Sequence, residues 1–367
     1  MIAAILVSLF FSGLALVKSG QGEMGGWTSP TLSDLYSVFM VGSGDGWAVG
    51  GGGAIIHWNG TEWANFTSPT NTTLLSVLMV GSDDGWAVGL DGAIIHWNGT
   101  DWKIVASPTL SDLHSVCMVN ADDGWAVGFE GTIIRWNGTD WTSFAIQTIG
   151  DLNSVSMVDS TDGWAVGNGV IIHWNGTVWS VQSPETFLTF ESVYMLNADD
   201  GWAVGMMGQI IHWNGTEWTD VSYGNEHYES VFFVDPNDGW IAGDPGMLVE
   251  FGFPGPVFHW NGSAWSFITN PTTSPIRLSS VFMVNASDGW IVGEHGTIIR
   301  WNGIQWIPEF STTTYVQIMA IMWTAAVVLT RISAKKRKPT HQDPSAISNT
   351  NHRYIKQHAF HPDVVEC

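Results

Sequence analysis

Three observations in the sequence predict an all-β fold, a seven-bladed β-propeller of four-stranded blades. First, a D-G-W motif recurs seven times and places Trp47, Trp86, Trp125, Trp164, Trp202, Trp240 and Trp290 in one series, with steps of 39, 39, 39, 38, 38 and 50 residues. Second, each D-G-W is followed by W-N-G (Trp58, Trp97, Trp136, Trp174, Trp213, Trp260, Trp301) and by a third tryptophan (Trp63, Trp102, Trp141, Trp179, Trp218, Trp265, Trp306), so the repeat accounts for 21 of the 23 tryptophans. Third, every unit breaks into four short apolar runs separated by Gly, Asn and Asp, and none shows a helical period. Four strands in about 39 residues, repeated seven times, is the pattern of a propeller in which no unit can bury its faces alone.

Within a unit, strand A reads S-V-x-M-V, as in Ser76–Val80, and an Asp/Gly turn leads to strand B, G-W-A-V-G. A Gly turn leads to strand C, x-I-I-H-W, and Asn-Gly leads to strand D at the third tryptophan. Asn-Gly between apolar runs predicts a type I′ hairpin with both residues at positive φ. Strand C carries His57, His96, His173, His212 and His259, with Arg135 and Arg300 in the same slot. One residue per blade cannot gather around a single ion when packed sheets lie ~10 Å apart. We therefore expect no metal and no cofactor, and a pairing of these side chains with the Asp before Gly-Trp. Cys117 falls in strand A where other units have Phe39, Leu78, Ser156, Tyr194, Phe232 and Phe282, which is a packing position.

The ends read differently. Residues 1–20 hold the apolar run Ile2–Val17 followed by Lys18, which predicts a signal peptide or a retained anchor. The propeller is assigned to 27–310. An apolar run within 315–332 precedes Arg331, Lys335, Lys336, Arg337 and Lys338, which predicts a transmembrane helix with its basic end cytoplasmic. Residues 333–367 are basic and patternless, so a disordered cytoplasmic tail is expected. Localisation is thus predicted at the cell membrane, single-pass, with the propeller outside. If Trp306 rather than Trp27 supplies the outer strand of blade seven, the chain leaves by the D–A face and that face is turned toward the membrane.

Between Thr28 and Phe310 there are 30 acidic residues against four basic ones, Lys103, Arg135, Arg277 and Arg300. Such a surface repels phosphate backbones, which excludes nucleic acid as a partner. Asn59, Asn98, Asn137, Asn175, Asn214 and Asn261 begin N-G-[ST] sequons in the C–D turns, and Asn65, Asn71 and Asn285 begin others, so glycosylation is expected on an exported chain. Asn302 keeps the turn without a sequon.

The stretch D-G-W-A-V-G-x-x-G-x-I-I, as in Asp84–Ile95, with a Trp after a Gly turn, resembles the photosystem II assembly and stability factor-like propellers, which are related to the BNR or Asp-box repeats. The likeness covers about Leu35 to Phe310 and implies a seven-bladed propeller that binds assembling membrane proteins. The unit has Trp-Asn-Gly-Thr where that family has Asp-Gly-Gly, and where the resemblance implies binding partly through arginines this stretch has three.

The repeat breaks once. Trp240 to Trp260 spans 20 residues where Trp47 to Trp58 spans 11, and the extra residues lie in the blade-six B–C loop, Asp244 to Pro256. The preceding D–A connection, Tyr223 to Glu229, also departs from the usual S-P-T. In a propeller these two connections share one face, which makes Tyr223, Glu226, His227, Tyr228, Met247, Leu248, Phe251 and Phe253 the candidate binding residues for a protein partner. A carbohydrate-binding propeller is the alternative. A glycoside hydrolase has less support, because no carboxylate pair or arginine cluster stands out and an enzyme is not expected.

Overall fold

The computed structural model describes residues 29–145, 150–182, 189–246, 252–272 and 274–308. Among them are seven antiparallel sheets, each of four strands taken in chain order. Blade two is typical, with strands Leu74–Gly81, Asp84–Gly89, Ile94–Trp97 and Trp102–Ile104. The innermost A strands pack in sequence around a ring that closes where blade one meets blade seven. Blade seven takes all four strands from its own repeat, the last being Trp306–Pro308, so the chain leaves the final strand at the D–A end. Trp27 and the predicted segments 1–20, 315–332 and 333–367 lie outside the described residues. No helix among the described residues is long and apolar enough to cross a membrane.

Burial explains the repeat. The apolar core divides into seven clusters, and each joins two neighbouring blades rather than lying within one. The tryptophans show how. Trp47 of blade one packs 4.7 Å from Trp97 and 5.5 Å from Trp102 of blade two, the second nearly edge-on. The same triad recurs at every junction, including the closing one, where Trp290 meets Trp58 at 4.8 Å and Trp63 at 5.3 Å. Such offset and edge-to-face packing suits the aromatic quadrupole. Second-series indoles also donate to the A–B turn, as Trp58 Nε1 does to the Ser43 carbonyl at 3.0 Å. The Gly of D-G-W makes room for a core side chain, since a Cβ on Gly46 would sit 2.3 Å from Met40 Sδ.

A second device ties the inner strands. The A strand is an edge, so its inward N–H groups need acceptors. The strand-A serine of each blade supplies one to the next. Val77 N donates to Ser37 Oγ at 3.1 Å, Val116 to Ser76 at 3.2 Å, Val155 to Ser115 at 3.3 Å and Val193 to Ser154 at 3.1 Å. Val231 to Ser192 at 3.2 Å, Val281 to Ser230 at 3.1 Å and Val38 to Ser280 at 3.3 Å complete the circuit. Cys117 lies on the inner ring as expected, its sulfur accepting from Met157 N at 3.4 Å.

The strand C side chains pair as expected with the Asp before Gly-Trp: His57–Asp45 at 2.8 Å, His96–Asp84 and His173–Asp162 at 2.7 Å, His212–Asp200 and His259–Asp238 at 2.9 Å. Arg135–Asp123 and Arg300–Asp288 repeat the pairing at 2.9 Å. Each ring or guanidinium also lies over the first-series indole, as His57 does on Trp47 at 4.2 Å.

The C–D turn differs from the predicted type I′. Trp58 pairs directly with Trp63, so the loop holds four residues and not two. Gly60 has φ +89, but Asn59 is not at positive φ. Instead its Oδ1 accepts from the N–H groups of Thr61 at 2.9 Å and Glu62 at 3.0 Å. Asn is required here as an acceptor that closes the loop, not for its tolerance of left-handed backbone. Asn98, Asn137, Asn175, Asn214, Asn261 and Asn302 repeat the arrangement, the last without a sequon.

The Trp triads and the serine circuit differ in expected weight. Trp125→Ala should cost about 3–5 kcal/mol in chemical denaturation, and Ser115→Ala about 1 kcal/mol. Equal costs would mean that junction burial does not dominate.

Candidate functional site

Each A strand carries a β-bulge near its D–A end, because the residues on either side of one extra residue pair with consecutive residues of strand B. The extra residues are Tyr36, Leu75, His114, Asn153, Glu191, Glu229 and Ser279. A bulge re-aims a side chain without breaking the sheet. Here the bulged residues reach toward the next blade: His114 Nδ1 lies 3.1 Å from the Leu152 carbonyl, and Asn153 Nδ2 donates to the Phe190 carbonyl at 3.0 Å. In blades five and six the re-aimed residues are carboxylates.

These carboxylates form a charged cluster with few cations. Asn153 Nδ2 also donates to Glu191 Oε2 at 3.0 Å. Glu229 Oε2 accepts from Arg277 Nη2 at 2.7 Å. Burial, then the neighbouring Glu229 charge, pushes the Glu191 carboxyl up to about 7, with Arg277 opposing. Glu229 is also raised, its burial outweighing the adjacent guanidinium. Arg277 Nε and Ser279 Oγ are buried without a hydrogen-bond partner in the structure.

Around blade six the same face holds a cavity of about 330 Å³ lined by His227, Asp244, Pro245, Gly246, Pro275, Arg277 and Glu294. His227 and Asp244 face each other across strands A and B, which run one pair further here than in other blades. The longer strand B follows from the B–C insertion that replaces the tight glycine turn. Next to it, the D–A connection folds against blade five. Tyr223 N donates to the Gly208 carbonyl at 3.0 Å, and Gly208 N to the Glu226 carbonyl at 2.6 Å.

The sequence-predicted residues thus fall in different environments. Tyr223 is about half exposed, with its ring 5.6 Å from Phe258. Phe253 is exposed in the described part of the insertion. His227 lines the cavity, and Glu226 Oε2 accepts from Asn225 N at 2.8 Å. Tyr228 is fully buried at the first strand-A position, where other blades have Leu or Phe, and its hydroxyl donates to the Tyr223 carbonyl. It props the connection from beneath and presents no surface. Met247, Leu248 and Phe251 lie outside the described residues.

Sequence reasoning did not single out Glu191, Glu229, Arg277 or Met207 as site residues. The signal was an alignment of the repeats. The bulge position is uncharged in blades one, two, four and seven and becomes Glu only in blades five and six. The second residue of the tight B–C turn is Gly52, Asp91, Glu130 or His295 elsewhere and Met207 in blade five.

The three described arginines do not converge. Arg135 and Arg300 are held by Asp123 and Asp288 in strand C, and Arg277 by Glu229. First-series tryptophans are buried at blade junctions, not displayed as a stacking platform. Among the described residues no group of three or more His, Cys, Asp or Glu could hold a metal ion.

No family model matches the chain, and no curated protein matches it. Solved structures share its fold. YCF48 bound to D1 peptide superposes with a TM-score of 0.61 at 18% identity, over 76% of this chain and 98% of that one. YCF48 from Cyanidioschyzon merolae gives 0.59 at 18% identity, over 74% and 97%. The WD40 β-propeller domain of Doa1 gives 0.60 at 15% identity, over 80% and 99%. The propeller predicted from the repeat is therefore the fold that these proteins share, YCF48 in agreement with the resemblance read from D-G-W-A-V-G.

Glu191 makes stability depend on pH. Its folded pKa of about 7 exceeds the ordinary 4.5, so the folded state holds the proton more tightly than the unfolded chain. The associated stability is full below about pH 4.5 and is lost as pH rises through about 7. Glu191→Gln should therefore stabilise the protein at pH 8, on the order of 1–3 kcal/mol, and change little at pH 4. Thermal melts at the two pH values decide it, and a variant no more stable at pH 8 contradicts this account.

Proposed function

We propose that this chain is a membrane-anchored, extracytoplasmic β-propeller that serves as a protein-binding or assembly scaffold and docks its partner through the D–A face around blade six. The observation that carries the reading is where the seven-fold pattern fails. The long B–C insertion, the altered D–A connection and the paired bulge carboxylates all gather on one end of blades five and six. The described B–C turns of the other six blades stay short, so the long insertion is not demanded by the fold. Loops on a rigid scaffold are the usual carriers of binding. The fold likeness to a YCF48 that is bound to a peptide is consistent with a protein partner.

Anchoring and location rest on the sequence, namely the apolar runs near the two ends and the basic residues after the second. The six turn sequons lie on the side opposite the D–A face, and their asparagines are exposed. Glycans there would leave the D–A face open. Against a catalytic role stand the separately paired arginines. A carboxylate raised to about 7 can act as an acid, but its charged neighbours Glu229 and Arg277 are engaged with each other.

Removing Asp244 to Pro256 and rejoining the strands with a short Gly turn should abolish capture of the protein's partner by affinity purification while leaving the melting transition cooperative. Unchanged partners would overturn the docking face. Expressed in a secretory eukaryotic host, the chain should lose mass on N-glycosidase treatment, and Asn98→Gln should remove one glycan. A mass unaffected by the enzyme would count against export with glycosylation.

A further inference from the structure

We propose that the docking face receives an extended protein segment that pairs an apolar side chain with a cationic one, the first seated on Met207 and Tyr223 and the second at Glu191. This rests on the protein-docking reading above and gives the partner a chemistry.

The apolar subsite begins at Met207, with φ +57. Left-handed backbone is unfavourable for a large side chain, and the equivalent turns use Gly52, Asp91, Glu130 and His295. Burial does not repay the cost, because Met207 is 75% exposed. Its neighbour Met206 is also exposed, and Tyr223 is hydrogen-bonded to the adjoining Gly208. The Tyr223 ring packs 5.6 Å from the buried Phe258, and the exposed Phe267 lies 5.7 Å from the same ring. Exposed methionine beside aromatic rings is an adaptable surface for aliphatic or aromatic side chains.

Charge chooses the rest of the partner. Asp220 ends the D strand of blade five, Glu226 stands in the connection that follows, and Glu191 and Glu229 are the bulge residues of the A strands of blades five and six. The arginine on this face, Arg277, is already engaged by Glu229 at 2.7 Å. Glu191 accepts one amide hydrogen bond, from Asn153, which leaves most of its acceptor capacity for a ligand. The chain as a whole carries a net charge of −22. An ammonium or guanidinium group is the complement. An acidic segment, an anionic lipid surface or a second copy of this chain would each bring like charge to like. The two subsites adjoin on blade five, where Met206 N donates at 3.1 Å to the carbonyl of Thr189, two residues before Glu191.

The test is full-length protein in detergent on an array of short degenerate peptides, compared with the variants Met207→Asn and Glu191→Gln. Asn suits left-handed backbone, so Met207→Asn should fold with an unchanged or higher melting temperature. Wild-type protein should select peptides with Lys or Arg a few residues from Leu, Ile, Met or Phe. Met207→Asn should weaken them by roughly tenfold, and Glu191→Gln should remove the preference for Lys or Arg. Selection of acidic or uncharged peptides, no selection at all, or retention in both variants overturns the proposal. A natural partner that needs the Asp244–Pro256 loop yet binds both variants as well as wild type overturns this chemistry while leaving the docking face in place.

Discussion

The structure depends on the junction between blades. A four-stranded blade has two apolar faces and a bare inner edge, and neither is satisfied within the repeat. Each first-series indole is buried against two tryptophans of the following blade, and each strand-A valine N–H finds its acceptor on the serine of the preceding one. Every blade is thus half of two cores. The array has to close, because an open end would expose one set of indoles and one unpaired edge. Closure is achieved by packing Trp290 on Trp58 and Trp63 and by Val38 N on Ser280, with all four strands of blade seven from one repeat. The ring is held by side-chain contacts at its last junction, of the same kind as at the other six.

That constraint explains what was legible beforehand. Residues repeated seven times serve the junction, so the period disclosed the blade count, the strand order and the pairing of the strand C His or Arg with the preceding Asp. It did not disclose that a triad is shared between neighbours, since the three tryptophans of one repeat are closer in sequence than in the packing that matters. The Asn-Gly turn was located correctly and described wrongly. Asn-Gly signals a hairpin in either geometry, and only the position of the partner, Trp63 opposite Trp58, shows that four residues lie between and that the Asn side chain closes them.

The candidate site was legible in its large features and not in its small ones. A long insertion shows in residue spacing, so blade six was found, with Tyr223 and His227 on its face. Tyr228 was counted with them because it is adjacent and aromatic, yet strand alternation turns it into the core. Glu191 and Glu229 were passed over for the converse reason. Strict alternation does not anticipate a bulge, and the bulge is what re-aims these residues toward the neighbouring blade. A single inserted residue per strand thus turned an architectural position into a variable one.

Architecture and function are thereby separated along each strand. The third, fourth and sixth residues of strand A belong to the junction and hardly vary. The second is released from it by the bulge, and it holds Tyr, Leu, His, Asn, Glu, Glu and Ser in the seven blades in turn. The tight B–C turns show the same division, with an invariant Gly at the packing position and Gly, Asp, Glu, Met or His one residue earlier. Variation allowed by the fold would scatter around the ring. Here the acidic bulges, the exposed methionines and the long insertion fall on adjoining blades and on one face. On the proposed reading, one ligand contacting neighbouring blades accounts for that coincidence.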